Sequence, residues 1–141
     1  MNIEELSCKI ECQDVLAALC AALDEGRNDD AADLFTDDAV LVLPIGEKKG
    51  PEVRAALNAR PATITTRHLM TNVAVDVKSA DGAFATAYIL VYRTTVDPGA
   101  PGPHPLPETP QAAGDWNIDL RKTPDGWRIC RYAAIEKMVA A

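Results

Sequence analysis

Apolar residues recur at helical spacing through the first 23 positions of the chain. Their period of roughly 3.6 residues predicts a helix over 3–23, and Gly26 follows as a typical C-terminal stop. Asn28 is a favourable residue to begin a second short helix, which we expect to continue to Phe35. The apolar positions of the first helix are Ile3, Leu6, Ile10, Leu16, Leu19 and Leu23.

A short apolar strand is predicted over 39–43, and a third helix between Pro51 and Pro61. Beyond that point apolar and polar residues alternate, which is typical of half-buried strands. We therefore predict one α+β domain over 1–141, with a curved, mainly antiparallel sheet wrapped over N-terminal helices. The late strands are expected over 67–78, 83–96, 116–121 and 127–138, and the turn Pro124-Asp125-Gly126 joins the last two.

The segment 97–111 lies between the second and third of these late strands and contains six prolines. Proline has no backbone N–H for a sheet ladder, so this segment is not a central strand. We expect a long connection, which either forms a lid over a pocket or is simply a tolerated insertion. His104 lies within it and is expected to be exposed to solvent.

Three of the late strands carry one face that mixes aromatic and polar side chains. His68 and Asn72 share a face of the first, Tyr88 and Tyr92 share a face of the second, and Asn117 lies on the third. We expect these mixed faces to form one side of the sheet, to curve over the helices and to line a pocket for a small molecule. The opposite, strongly apolar side would need a second subunit as its cover, so we expect a homodimer.

Composition excludes several classes of function. The chain is 48% hydrophobic, which is enough for a core, and it has no apolar run of about 18 residues that could span a membrane. Its formal net charge is −7 and its Lys and Arg residues are scattered, which argues against nucleic acids and anionic membranes. The N-terminus is acidic where a secretory signal would be basic, so we expect a cytoplasmic protein.

Cofactor and metal motifs are missing from the sequence. It has no glycine-rich phosphate loop, and its two histidines are too few for a histidine-rich metal centre. Cys8, Cys12 and Cys20 share one helical face, which suggests either a metal or redox cluster or small buried apolar side chains in a reducing compartment. The second interpretation is favoured, for these three and for Cys130, and we expect no metal and no cofactor.

His68 is the strongest single candidate for chemistry, because its ordinary pKa near neutrality suits general acid–base catalysis. The simpler alternative is a strand histidine that only bonds to backbone groups. Asp24 ends the first helix, where a negative charge is unfavourable for the helix dipole. That small cost is a hint that the carboxylate has another purpose.

Five short stretches of the chain, and the order in which they occur, resemble the SnoaL-like branch of the nuclear transport factor 2-like superfamily. The resemblance implies a cone-shaped α+β fold, with a pocket inside the cone and a dimer formed through the convex face of the sheet. The superfamily contains enzymes and non-catalytic subunits, so the fold alone does not decide the function. The stretches are Leu23–Arg27, Leu34–Val40, Gly50 at the start of the third helix, Thr66–Asn72 and Asp125–Ile129.

In scytalone dehydratase and similar enzymes, an Asp at the end of the first helix orients a His on the following long strand. Asp24 and His68 match these two positions, and Asn117 matches an Asn on the penultimate strand. Leu23 departs from the pattern, because those dehydratases have a tyrosine there. Leu43, before Pro44, likewise replaces the carboxylate base of the ketosteroid isomerase branch.

These features lead to three functional hypotheses. The first is a cofactor-independent dehydratase (a lyase) or isomerase, in which an Asp24–His68 pair transfers protons on a small hydrophobic oxygenated substrate. The second is a non-catalytic ligand-binding or accessory subunit with the same pocket, and the third an interaction protein with a vestigial pocket. The expected substrate-binding residues are Asn72, Tyr88, Tyr92, Asn117 and Tyr132.

Overall fold

The computed structural model describes all 141 residues and contains three helices and six strands. The predicted order of elements is confirmed, with one extra strand after the first. The second helix ends at Ala32 instead of Phe35, because Phe35 already begins a strand. In chain order the elements are α1 (Ile3–Asp24), α2 (Asn28–Ala32), β1 (Phe35–Leu43), β2 (Gly46–Lys49), α3 (Pro51–Asn58), β3 (Ile64–Val77), β4 (Gly82–Thr95), β5 (Ala112–Thr123) and β6 (Gly126–Val139).

The six strands form one curved sheet in the order β2-β1-β6-β5-β4-β3. β1 and β6 pair in parallel, and all other neighbours are antiparallel. The hairpins β3–β4 and β5–β6 make up the long side of the sheet, and the proline-rich segment connects them. The predicted α+β class, with helices packed against a curved, mainly antiparallel sheet, is confirmed.

Helix α1 is positioned by both of its ends. The Asn2 side chain accepts a hydrogen bond of 2.8 Å from the backbone N–H of Glu5. At the other end Gly26 adopts a φ of 69°, and the next N–H, of Arg27, bonds to the carbonyl of Ala22 at 2.9 Å. This closed C-terminal turn fixes the position of Asp24, the last helical residue.

The buried side of α1 differs from the one predicted. Ile3, Leu6 and Ile10 are exposed, whereas Cys8 and Cys12 face the core. Cysteine behaves as a small apolar side chain here, and burial raises the pKa of the Cys12 thiol to about 12. The spacing of the large apolar residues therefore indicated the wrong face in this half of the helix, whereas the favoured interpretation of Cys8, Cys12 and Cys20 as buried apolar side chains is confirmed.

The apolar side of the sheet is its inner side, which packs against α1. On β4 and β5 the inward residues are buried and apolar, whereas their neighbours point outward. The expectation that the apolar side needs a second subunit as its cover is therefore wrong, because α1 already covers it. The inward residues are Ala83, Ala85, Ala87 and Ile89 on β4, and Trp116, Ile118 and Leu120 on β5.

None of the three helices is both long and apolar enough to cross a membrane.

Candidate functional site

Asp24 and His68 lie side by side beneath the inner face of the sheet. The Nδ1 of His68 is 2.5 Å from Oδ1 of Asp24, and the backbone N–H of His68 donates to Oδ2 at 2.9 Å. The side chains are only 4% exposed for Asp24 and 10% for His68. Both carboxylate oxygens thus bind one residue of β3, which fixes the plane of the imidazole.

Thr66 adds a third hydrogen bond to the same carboxylate. Its hydroxyl donates to Oδ1 of Asp24 at 2.9 Å, from a position two residues before His68 on the same face of β3. Burial alone would raise the pKa of Asp24, but the hydrogen bonds from His68 and Thr66 outweigh it and hold that pKa below its ordinary value. Asp24 is therefore ionised throughout the neutral range.

The engagement of Nδ1 determines what His68 can do. With Asp24 bound at Nδ1, the second ring nitrogen, Nε2, is free to take a proton from a ligand or to return one. An ionised carboxylate behind the ring also stabilises the imidazolium that forms when Nε2 is protonated. The arrangement has the hydrogen-bond geometry that a general acid–base pair requires.

An aromatic wall extends from His68 across the inner face. The ring centroids of His68 and Trp116 are 6.0 Å apart, those of Trp116 and Tyr132 are 5.3 Å apart, and those of Tyr132 and Phe35 are 6.2 Å apart. Burial raises the pKa of Tyr132, so its hydroxyl stays protonated. The wall combines flat apolar surfaces with one neutral hydroxyl, and its three rings beyond His68 belong to the buried core.

Two more polar groups approach this wall. Cys20 lies one helical turn before Asp24 on α1, and burial raises the pKa of its thiol to about 12. Arg60 follows α3 and is half-buried, close enough to Asp24 and Tyr132 for their charges to influence its pKa. Around His68 the structure thus gathers a carboxylate, a neutral thiol, a phenol and a guanidinium.

Four of the five predicted substrate-binding residues lie elsewhere. Tyr88 pairs with Thr71 and Tyr92 with Arg67, whereas His68 pairs with Val91, so both tyrosines point to the outer face. Asn117 pairs with Thr86, also on the outer face. The expectation that these residues share a pocket wall with His68 is wrong.

Asn72 is displaced for a different reason. A bulge interrupts the pairing of β3 with β4 between Thr71 and Ala74, and Asn72 takes a positive φ of 53° within it. Its side chain is exposed and bonds to the hydroxyl of Thr71 at 3.1 Å. Of the five residues, only Tyr132 lies on the inner side of the sheet, where it packs against Trp116.

The proline-rich connection lies beside the same end of β3. Residues 102–107 and the β3 and β4 residues on either side of Thr66 enclose a cleft of about 340 Å³. His104 lines this cleft and is half-buried, so it is less exposed to solvent than expected. Arg67 and Tyr92, which also line the cleft, point to the outer face, and neither Asp24 nor His68 lines it.

Sequence reasoning missed Thr66, Trp116 and Arg60 as parts of the site. Thr66 had a usable signal, because it precedes His68 by two positions and so shares its face. Trp116 precedes Asn117 and so lies on the apolar face of its strand, which is the inner face. Arg60 had no signal, because it lies in the irregular segment between α3 and β3.

Comparison with known proteins agrees with this fold. The family model of the SnoaL-like domain matches residues 4–133. The chain belongs to the SnoaL-like family. It is 28% identical to an uncharacterized protein of Mycobacterium tuberculosis strain H37Rv, over 93% of this chain and 86% of that relative.

Two solved structures illustrate the fold of this SnoaL-like chain. A candidate scytalone dehydratase of Novosphingobium aromaticivorans has a TM-score of 0.82 at 17% identity, covering 99% of this chain and 91% of the other. A type 3 hexachlorocyclohexane dehydrochlorinase of Novosphingobium barchaimii has a TM-score of 0.78 at 19% identity, with coverages of 99% and 93%.

Proposed function

We propose that this SnoaL-like protein is a cofactor-independent enzyme that dehydrates or isomerises a small hydrophobic oxygenated substrate. The observation that carries the proposal is the contact of 2.5 Å between Asp24 and His68, with Nε2 of His68 left free. The names of the two similar structures, a dehydratase and a dehydrochlorinase, both denote eliminations, which fits a centre built for proton transfer.

In the dehydration, Nε2 of His68 takes a proton from the carbon beside a carbonyl group. The electron pair of that C–H bond forms the new C=C bond, and the bond from the neighbouring carbon to its hydroxyl breaks. The imidazolium, stabilised by Asp24, returns its proton to the departing hydroxide, which leaves as water. In an isomerisation the same proton would return to a different carbon.

The enclosed position of the pair favours a second candidate, a non-catalytic ligand-binding subunit. The side chain of His68 is only 10% exposed, so it is screened from bulk solvent. A pure binding protein would keep the pocket and the aromatic wall without needing proton transfer. The four free cysteines suit either candidate in a reducing compartment such as the cytoplasm.

The test is an elimination assay on a panel of β-hydroxy ketones, in which water loss is followed by the absorbance of the conjugated product. We expect His68→Ala to lower turnover by about 100-fold or more and Asp24→Asn by about tenfold or more. His104→Ala is the matched control, because His104 is the only other histidine of the chain and should leave turnover unchanged.

Unchanged turnover in His68→Ala would contradict the enzymatic proposal. Saturable binding of a panel compound to both wild type and His68→Ala, with no product from either, would favour the binding subunit.

A further inference from the structure

Arg60 is a half-buried arginine whose guanidinium has no partner within the protein. Arg27, Arg54 and Arg121 are exposed, and each forms ion pairs with carboxylates within 4 Å. Arg60 forms neither an ion pair nor a side-chain hydrogen bond, although burial is the main influence on its guanidinium and lowers its pKa. A guanidinium still carries its charge in such a place, and partly removing that charge from water without a partner is costly.

The groups near Arg60 do not neutralise it. Asp24 is the carboxylate whose charge raises the pKa of Arg60, but both Asp24 oxygens already accept hydrogen bonds from Thr66 and His68. Tyr132 is neutral, because burial raises its pKa, and the Cys20 thiol is neutral for the same reason. The five N–H donors of the guanidinium therefore have no acceptor of their own.

A second cation lies at the same place. Arg93 on β4 pairs directly with Thr66 on β3, so both side chains leave the same face of the sheet. Arg93 is exposed, forms no ion pair, and its charge lowers the pKa of Arg60. The chain as a whole has a net charge of −7, yet two unpaired arginines that repel each other lie beside the acid–base pair. A negatively charged group bound there would be stabilised by both.

We propose that Arg60, assisted by Arg93, binds a carboxylate group of the substrate on which Asp24 and His68 act. The planar fork of a guanidinium matches the two oxygens of a carboxylate, and the adjacent Trp116–Tyr132 wall suits an aromatic or alicyclic body. This inference rests on the proposed function and narrows its substrate class to small organic acids. Anchoring the acid group at Arg60 holds the rest of the substrate beside His68.

The test is isothermal titration of the whole protein with benzoate, benzamide and inorganic phosphate. We expect benzoate to bind wild type about tenfold or more tighter than benzamide, which has the same shape without the charge. Arg60→Gln should remove this preference, and Arg93→Gln should reduce it. Arg131→Gln is the control, because Arg131 is an exposed arginine without an ion pair on the far strand β6, and it should leave the preference intact.

Four results would overturn the carboxylate site: no benzoate binding at millimolar concentration, equal binding of benzoate and benzamide, a preference that survives Arg60→Gln, or phosphate binding through Arg60 as tight as that of benzoate. The His68→Ala variant separates this inference from the proposed function. If the carboxylate site is right, the benzoate preference persists in His68→Ala. If only the enzymatic proposal fails, the preference remains while the elimination assay shows no dependence on His68.

Discussion

Asp24 occupies a place that helix electrostatics alone would not favour. A carboxylate in the last turn of α1 faces the negative end of the helix dipole. Three donors compensate for it: the backbone N–H and the ring of His68, and the hydroxyl of Thr66. The residue therefore connects the end of α1 to β3, and it orients His68 at the same time.

Replacing Asp24 by Asn should destabilise the fold in a pH-dependent way. Because the folded-state pKa of Asp24 lies below its ordinary value of 3.8, the ionised group stabilises the fold above that pH. This contribution is lost as the pH falls through the folded-state pKa. We expect Asp24→Asn to lower the free energy of unfolding at neutral pH by about 1–3 kcal/mol, as measured by urea denaturation.

The difference in the free energy of unfolding between wild type and Asp24→Asn should shrink as the pH drops below 3.8. Asp14→Asn is a suitable control, since Asp14 is exposed on the same helix and forms no ion pair. If this difference in unfolding free energy stays constant with pH, or if Asp14→Asn reproduces it, ionised Asp24 does not stabilise the fold.

At the level of single residues, sequence reasoning found the two central groups and missed their support. Asp24 and His68 were reached through the type of residue and its place in a resembling family. Arg60 could not be found in this way, because its significance depends on the lack of a partner in three dimensions. Thr66 shares a strand face with His68, but a hydrogen bond across 42 residues leaves no mark in the sequence.

The strands show where sequence periodicity stops being informative. Alternation within β4 and β5 was predicted correctly, since every second residue does point to one side. Which faces of neighbouring strands lie on the same side of the sheet was predicted wrongly. That depends on the register of the strands, and a shift by one residue exchanges the two faces. Tyr88, Tyr92 and Asn117 were therefore assigned to the pocket although their faces point outward.

Within β3 even the alternation is interrupted. The bulge at Asn72 inserts an unpaired position, so Val75 and Val77 return to the inner side on which His68 and Met70 lie. Asparagine tolerates the positive φ that the bulge needs better than most residues. A prediction that assumes a strict period of two therefore assigns the residues after the bulge to the wrong face of the sheet.

The outer face of the whole molecule remains partly apolar. Leu69 is 42% exposed and Tyr88 is 58% exposed, and with Leu90 and Met138 they line a cleft of about 560 Å³. The original reason for a homodimer, an uncovered apolar side, no longer holds. We nevertheless propose a homodimer through this outer face, because its apolar residues are contiguous on the long strands.

Sedimentation analysis tests the dimer directly. We expect wild type at micromolar concentration to have twice the mass of one chain, and Leu69→Asp to shift it to the mass of one chain, because a charge would be buried in the interface. Ile45→Asp is the matched control, since Ile45 is an exposed apolar residue at the turn between β1 and β2. A wild-type monomer, or equal behaviour of the two variants, would refute a dimer through this face.

The architecture as a whole was predictable because its signals are local. Helix stops, proline positions and strand alternation each depend on a few neighbouring residues, and they occur in the order of a single fold family. β2 was not predicted, because its four residues, Gly46–Lys49, are all exposed and have no apolar pattern. The surroundings of His68 were predicted only in part, because their residues come from elements distant in the chain.

The central claim is that His68, held by Asp24, moves protons on a bound substrate. Hydrogen exchange measures this step without requiring a leaving group: small cyclic ketones are incubated with the protein in heavy water, and NMR follows loss of the protons beside the carbonyl. We predict exchange above the uncatalysed rate with wild type and with His104→Ala, and a fall of about 100-fold or more, towards that uncatalysed rate, with His68→Ala. Equal exchange with His68→Ala and wild type would contradict the claim.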